Sequence, residues 1–221
     1  MINSFIRKDI RKVLSKCQRV GNESEISNII KIMDMYGMVV YPCVKKIKKY
    51  DTGLYRHSIN VCYLAYITSE ACLLDDESIS HVVVGACLHD IGKILLPIKL
   101  IKYKGKFNNE QISLIRGHPE LGYRYIVERY PDIKKEILNI IIRHHNRVNG
   151  DGYPDLADEI PNLKEQIVAV CDFFEAYTAK RVYHGARSNN EGITKLLNEV
   201  KHGRFEKKLI KLFIKRVERS T

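Results

Sequence analysis

The stretch Val82-Val83-Val84-Gly85-Ala86-Cys87-Leu88-His89-Asp90-Ile91-Gly92-Lys93 decides how this chain is read. An apolar run leads straight into a histidine and an aspartate side by side. Charged side chains at the end of a buried segment are tolerated when they are paired or bound to a cation. His89 and Asp90 supply one imidazole nitrogen and one carboxylate able to bridge two cations. A single His-Asp hydrogen bond at a helix end would also account for the pair, so the remaining histidines have to separate the two readings.

Working outward, Asp75-Asp76-Glu77 places negative charge at the start of the helix that carries the run, and Gly92 and Pro97 end it. On the N-terminal side, Leu54, Ser58, Val61, Leu64, Ala65 and Thr68 share one face of a helix from Leu54 to Leu73, with His57 near its start. Residues 2–20 and 25–36 read as two further helices. Gly37 and Pro42 mark a loop before the basic run Lys45-Lys46-Ile47-Lys48-Lys49. On the C-terminal side, Asn108 or Asn109 caps a helix that Gly117-His118-Pro119-Glu120 interrupts, and Pro119 starts the next one. Pro131 or Asp132 opens a helix with an Ile133, Ile137, Ile140, Ile141 stripe that ends at His144-His145. The loop from Asn146 to Pro154 is dense in turn residues. Pro161 begins a helix in which Asp172 interrupts the run Ile167-Val168-Ala169-Val170-Cys171-Asp172-Phe173-Phe174. Helices over 190–201 and 204–218 close the chain. No strand pattern and no repeat is visible. The expected fold class is therefore all-α, a helical bundle over residues 51–221 with a short basic helical extension over residues 1–50.

Bulk properties narrow the function classes. A hydrophobic content of 45% is ordinary for a soluble globular protein. The uninterrupted apolar runs are too short to cross a bilayer, and the N-terminus lacks the apolar core of a signal peptide, so a cytoplasmic location with no transmembrane segment is expected. The six cysteines are scattered without a CxxC pair, which supports neither a zinc ribbon nor a thioredoxin-type site. The net charge of +11 is uneven: residues 1–50 hold 11 Lys/Arg against 4 Asp/Glu, and residues 201–221 hold 8 against 2. The basic charge lies at the ends, away from His89. No aromatic residues interleave with these lysines as base-stacking platforms, which argues against nucleic acid as a partner.

Five of the eight histidines stand at breaks or helix ends: His57, His89, His118, His144 and His145. Asp90 and Asp172 interrupt apolar runs. These seven come from five separate helices or helix ends, as a metal site in a helical bundle requires. Seven nitrogen and oxygen donors exceed one tetrahedral site and fit two cations bridged by Asp90. Two divalent ions and two aspartates leave a charge of about +2 for a hydroxide and a phosphodiester, the setting for metal-assisted in-line displacement. Imidazole and carboxylate without thiolate suit Fe or Mn, with Zn also compatible.

The ordered set Arg56-His57-Ser58, His89-Asp90-Ile91-Gly92-Lys93, His118-Pro119-Glu120-Leu121-Gly122, His144-His145, Gly152-Tyr153-Pro154, Asp172 and Thr178 to Tyr183 resembles the HD-GYP family. That family is a branch of the HD superfamily of metal-dependent phosphohydrolases, and the resemblance spans roughly residues 54–218. It implies an HD-domain helical bundle that hydrolyses cyclic di-GMP to the linear dinucleotide pGpG or to GMP, through a water activated by two divalent metals. By the same resemblance, His57, His89, Asp90, His118, His144, His145 and Asp172 are the metal ligands. Lys93 steadies the substrate phosphate and the attacking water, while Tyr153 and Arg181 contact the cyclic dinucleotide. A protein partner at the Gly152-Tyr153-Pro154 loop and a homodimer are further expectations.

Several positions depart from the family pattern. Gly53 stands where some members carry a glutamate that completes a three-metal site, which favours two metals here. Asn146, Asn149, Val182 and His184 replace the usual glutamate, aspartate, proline and basic residue. These changes leave open a mixed cyclic GMP–AMP ring, a nucleoside phosphate, or a catalytically weak cyclic-dinucleotide-binding module.

Overall fold

Side-chain caps set where five of the described helices begin. Asp51 accepts from the Leu54 amide at 2.7 Å and Asp75 from the Ser78 amide at 2.7 Å. Asn108, Asn162 and Ser188 each close a reciprocal capping box, which satisfies amides that have no partner inside the helix. The computed structural model describes residues 2–16, 23–156, 159–179 and 187–218. Among them the chain runs α1 (Ile2–Ser15), α2 (Glu23–Met35), α3 (Gly37–Tyr50), α4 (Thr52–Ala71) and α5 (Asp76–Leu88). A 3-10 turn (Ile91–Leu95) leads into α6 (Ile98–Ile101), α7 (Asn109–Arg116), α8 (His118–Arg129) and α9 (Lys135–Arg143). Then come α10 (Leu163–Thr178), α11 (Asn189–Lys201) and α12 (Lys207–Glu218). No strand occurs among the described residues. The all-α bundle is as expected.

Helices α4 and α5 form the centre. Both are buried along most of their length, the position that helices apolar on every side must take. Helix α4 packs on α5, α10, α3, α1 and α12, while α5 also meets α9, α10, α2 and α3. The apolar residues of α1 to α3, including Ile6, Ile10, Leu14, Ile29 and Met33, join the same buried cluster, so packing is continuous across residue 50. Part of the N-terminal basic charge is neutralised locally, by Lys48–Asp9 at 2.7 Å and Arg7–Asp34 at 2.9 Å. Arg216 of α12 pairs with the buried Glu25 of α2, which also accepts from the Tyr63 hydroxyl at 2.9 Å.

Four details differ from the sequence expectation. Gly37 and Pro42 do not make a loop; they lie in α3. Proline there removes one bond near the helix start, to the carbonyl of Met38, and Met38 is exposed to solvent. Helix α5 stops at Leu88, and His89 and Asp90 occupy the link to the 3-10 turn. Counted with its polar ends, Asp76–Leu95 does reach the length and hydropathy of a membrane span, but 78% of that window is buried inside the protein. It is core rather than lipid-facing surface. Finally, α9 opens at Lys135 instead of Pro131 or Asp132.

One close approach positions the site. A Cβ on Gly92 would lie 2.0 Å from the His118 carbonyl oxygen and 2.5 Å from the Gly122 nitrogen. Only glycine lets the turn after Asp90 press against the start of α8. That contact brings His118 to Asp90.

Candidate metal centre

His89, His118 and His144 are each fully buried and sit at a helix boundary. Their Nδ1 atoms donate to backbone carbonyls three residues earlier: Ala86 at 2.7 Å, Ile115 at 2.6 Å and Ile141 at 2.7 Å. A carbonyl can only accept, so Nδ1 carries the proton and Nε2 presents its lone pair inward. His118 Nε2 and His144 Nε2 lie 3.1 Å apart. Two facing lone pairs repel unless a cation lies between or beside them.

Asp90 stands among these nitrogens with 0% exposure. Its two oxygens face different groups. Oδ1 is 3.1 Å from His118 Nε2 and 3.9 Å from His144 Nε2. Oδ2 is 3.4 Å from His89 Nε2 and 3.5 Å from His57 Nε2, and accepts from Lys93 Nζ at 2.7 Å. Asp172 completes the ring, with Oδ1 3.0 Å from His57 Nε2 and 3.8 Å from His89 Nε2, and Oδ2 3.8 Å from His145 Nδ1. The donors gather as His57/His89/Asp90, His118/His144/His145 and His89/His144/Asp172. Asp90 Oδ1 and His89 Nε2 are buried without a hydrogen-bond partner. Buried polar atoms are otherwise satisfied almost without exception, so this donor set fits divalent cations.

Electrostatics point the same way. Burial opposes ionisation of Asp90, but Lys93 and His89 outweigh it and hold the carboxyl well below its usual range. Asp172 is likewise held well down, burial being outweighed by the His57 hydrogen bond and neighbouring imidazoles. Burial and mutual repulsion among the histidines press His144 well below its usual value, and burial does the same to His145. His118 is lowered by burial and Lys93. Imidazoles kept neutral are imidazoles ready to ligate. His57 is the exception: against burial, Glu175 and Asp172 push it up to about 9.

The sequence reading missed Glu175. Its carboxylate is 3% exposed, contacts His57 Nδ1, and accepts from Asn60 Nδ2 at 3.0 Å. The available signal was a second carboxylate one helical turn after Asp172 in the same apolar helix. Its negative charge, set against Lys93, was absent from the charge count made on the aspartates alone.

The rim is built by the Asn146–Pro154 loop. Tyr153 stacks on His145 with ring centroids 4.4 Å apart, and the Arg116 guanidinium sits 5.4 Å from the Tyr153 ring centre. Arg116 was also missed. Gly152 has φ of +118°, and a Cβ there would meet the His145 carbonyl oxygen at 2.1 Å. Asn146 Nδ2 donates to the Pro154 carbonyl at 3.0 Å, and Asn149 Nδ2 to the His202 carbonyl at 3.1 Å. Arg204 binds Asp151 at 3.0 Å. The two asparagines that depart from the family pattern thus fasten the loop. Arg181, with Val182 and His184, lies outside the described residues.

A family model for the HD domain matches residues 44–209. The chain belongs to the HD domain family. This HD domain is 30% identical over 173 residues to the cyclic di-GMP phosphodiesterase PA4108 of Pseudomonas aeruginosa, covering 78% of this chain and 41% of that protein. It is 27% identical over 162 residues to the 3'3'-cGAMP-specific phosphodiesterase 1 of Vibrio cholerae, covering 73% and 37%. The chain spans between about a quarter and two fifths of the length of the curated relatives it matches. Among solved structures, the HD domain of the Listeria monocytogenes phosphodiesterase PgpH has a TM-score of 0.62 at 19% identity, over 80% of this chain and 95% of that one. The shared feature there is the helical HD fold. The HD domain family binds divalent metals, and the His/Asp groups seen here suit that role.

Proposed function

We propose that the chain is a metal-dependent phosphodiesterase that hydrolyses cyclic di-GMP, to pGpG or GMP, in the cytoplasm. The observation that carries the reading is Asp90, whose two oxygens face separate sets of imidazole nitrogens. His57, His89, Asp90, His118, His144, His145 and Asp172 are the proposed ligands of two divalent ions, Fe or Mn in preference to Zn. Gly53 offers no side-chain oxygen for a third. Cations held there supply charge that polarises a phosphoryl oxygen and lowers the pKa of a water.

The chain's own residues do the rest. Lys93, bound to Asp90 at 2.7 Å, places a positive charge at the edge of the cluster, within reach of an incoming phosphate oxygen. Tyr153 supplies an apolar ring at the mouth for a base or sugar, and Arg181 the second phosphate or a guanine edge. Relatives named as cyclic di-GMP phosphodiesterases support the substrate class. The relative specific for 3'3'-cGAMP, together with the altered loop residues Asn146 and Asn149, favours a mixed ring as second reading. Cys43, Cys62, Cys72 and Cys87 form no disulfide, which is consistent with a reducing compartment. The test is a hydrolysis panel of cyclic di-GMP, cyclic di-AMP and 3'3'-cGAMP with Mn(II) or anaerobic Fe(II). Turnover led by cyclic di-GMP is expected; preference for the mixed ring selects the second reading, and no turnover of any ring ends both.

A further inference from the structure

His57 differs from the other buried histidines in how its outer nitrogen is satisfied. His89, His118 and His144 stand at helix boundaries and use a carbonyl three residues back. His57 lies inside α4, and that local acceptor is engaged: the Leu54 carbonyl accepts from the Ser58 hydroxyl at 3.1 Å. The partner of His57 Nδ1 comes instead from α10, as the Glu175 carboxylate. Asn60, one turn along α4, donates to the other Glu175 oxygen at 3.0 Å and fixes its orientation. Asp172 and Glu175 are one turn apart on α10, and they bracket the His57 ring, at Nε2 and Nδ1 respectively.

We propose that Glu175, oriented by Asn60, is a positioning residue that holds His57 with Nδ1 as donor and Nε2 turned toward Asp90 and Asp172. The inference rests on the reading of this cluster as a metal centre. A carboxylate is a stronger acceptor than a carbonyl, so it fixes the tautomer and also makes Nε2 a better electron-pair donor. His57 thereby becomes the most strongly donating imidazole of the set, on the side of Asp90 that also holds Lys93. Loss of such a partner weakens metal binding by about 10–100-fold.

The experiment measures Mn(II) affinity by chelator competition for the full chain, for Glu175→Gln and for Asn60→Ala. Melting temperature in EDTA is recorded beside it. Glu175→Gln is expected to weaken Mn(II) binding by about 10–100-fold without lowering the melting temperature in EDTA, and Asn60→Ala to weaken it less. In metal-free protein, above the pH of about 9 at which the parent ring loses its second proton, the imidazole nitrogen shifts of His57 should show the Nδ1-protonated tautomer in the parent and a tautomer mixture in Glu175→Gln. Affinity unchanged within twofold, with early melting in EDTA, would show a purely structural carboxylate and overturn the proposal. If Glu175→Gln fails to fold, unchanged affinity in Asn60→Ala overturns it and weakened affinity sustains it. A parent that binds Mn(II) but cleaves no cyclic dinucleotide removes the proposed reaction and leaves this inference standing; a parent that binds no Mn(II) removes the inference.

Discussion

The buried cluster and the loop that rims it are built by opposite means. The cluster gathers side chains from α4, the end of α5, the start of α8, the end of α9 and α10, buried except for the part-exposed His145, with His57, His89, His118 and His144 each fixed at Nδ1 by a carbonyl or carboxylate. The rim is one contiguous loop, fastened by exposed polar contacts such as Arg204–Asp151 and Asn149 to the His202 carbonyl. Exposed pairs contribute little to stability, about 0–1 kcal/mol each, whereas a buried group deprived of its partner costs several-fold more. The contrast teaches where change is tolerated. Exchanging an exposed contact at the mouth, such as those of Asn149 and Arg204, costs little, whereas removing a buried donor leaves its neighbours unsatisfied.

The largest break in this contrast comes from Asp90→Ala. Asp90 is the fully buried carboxylate that comes within 3.1 Å of His118 Nε2 on one side and 3.4 Å of His89 Nε2 on the other, whereas Asp172 meets the His118/His144/His145 group at His145, 3.8 Å away, so turnover of cyclic di-GMP or of a chromogenic phosphodiester should fall at least about a thousandfold, roughly 4 kcal/mol of barrier. Metal content by elemental analysis should fall with it. Activity within tenfold of the parent would mean that Asp90 is not the bridge.

At the rim, Tyr153→Ala should act on KM. A ring lost from the substrate's base or sugar is worth about 0.5–1.5 kcal/mol, or roughly a 2–10-fold rise in KM, with metal content unchanged. A fall in metal content with KM unaltered would instead place Tyr153 in support of His145.

The smallest effect sharpens what sets the cluster apart from ordinary buried histidine. His81 in α5 is 3% exposed with neither ring nitrogen hydrogen-bonded, Nε2 lying 3.8 Å from Glu77 Oε1, and Lys134, Glu136 and Lys164 are the other charges around it. Burial, aided by Lys164, lowers its pKa. The folded state therefore binds the proton less readily than the unfolded chain. Its contribution to stability is complete above the unfolded value near pH 6.5 and is lost as pH falls through the folded value. The unfolding free energy of the parent, from urea titration, should decline on this acid side, with His81 contributing at most about 1.4 kcal/mol per pH unit beside the slope that the lowered His118, His144 and His145 add. His81→Leu should flatten part of that slope. An unchanged slope would show that His81 gains a partner on protonation.

Much was legible before any coordinates. Helical periodicity located α4, α5, α9 and α10, because an apolar stripe is a local property of the chain. The seven donors stood out because ionisable residues inside or beside apolar runs are costly unless something binds them. Pro42 misled, since proline near a helix start removes a single bond and need not break the helix.

By itself, then, the sequence determined an all-helical chain with a nitrogen-and-oxygen donor set of metal-binding type, since residue type and spacing carry that information. The tertiary structure shows which nitrogen turns inward: for His89, His118 and His144 a carbonyl three residues back takes the other nitrogen, and for His57 only the packing of α10 supplies the acceptor. It decided that Asp90 shows one oxygen to each imidazole group, through the Gly92–His118 approach. It also revealed Glu175 as the partner of His57, a contact between residues 118 positions apart. Such contacts join helices whose relative placement follows from the packing of the whole core, and no local pattern encodes it.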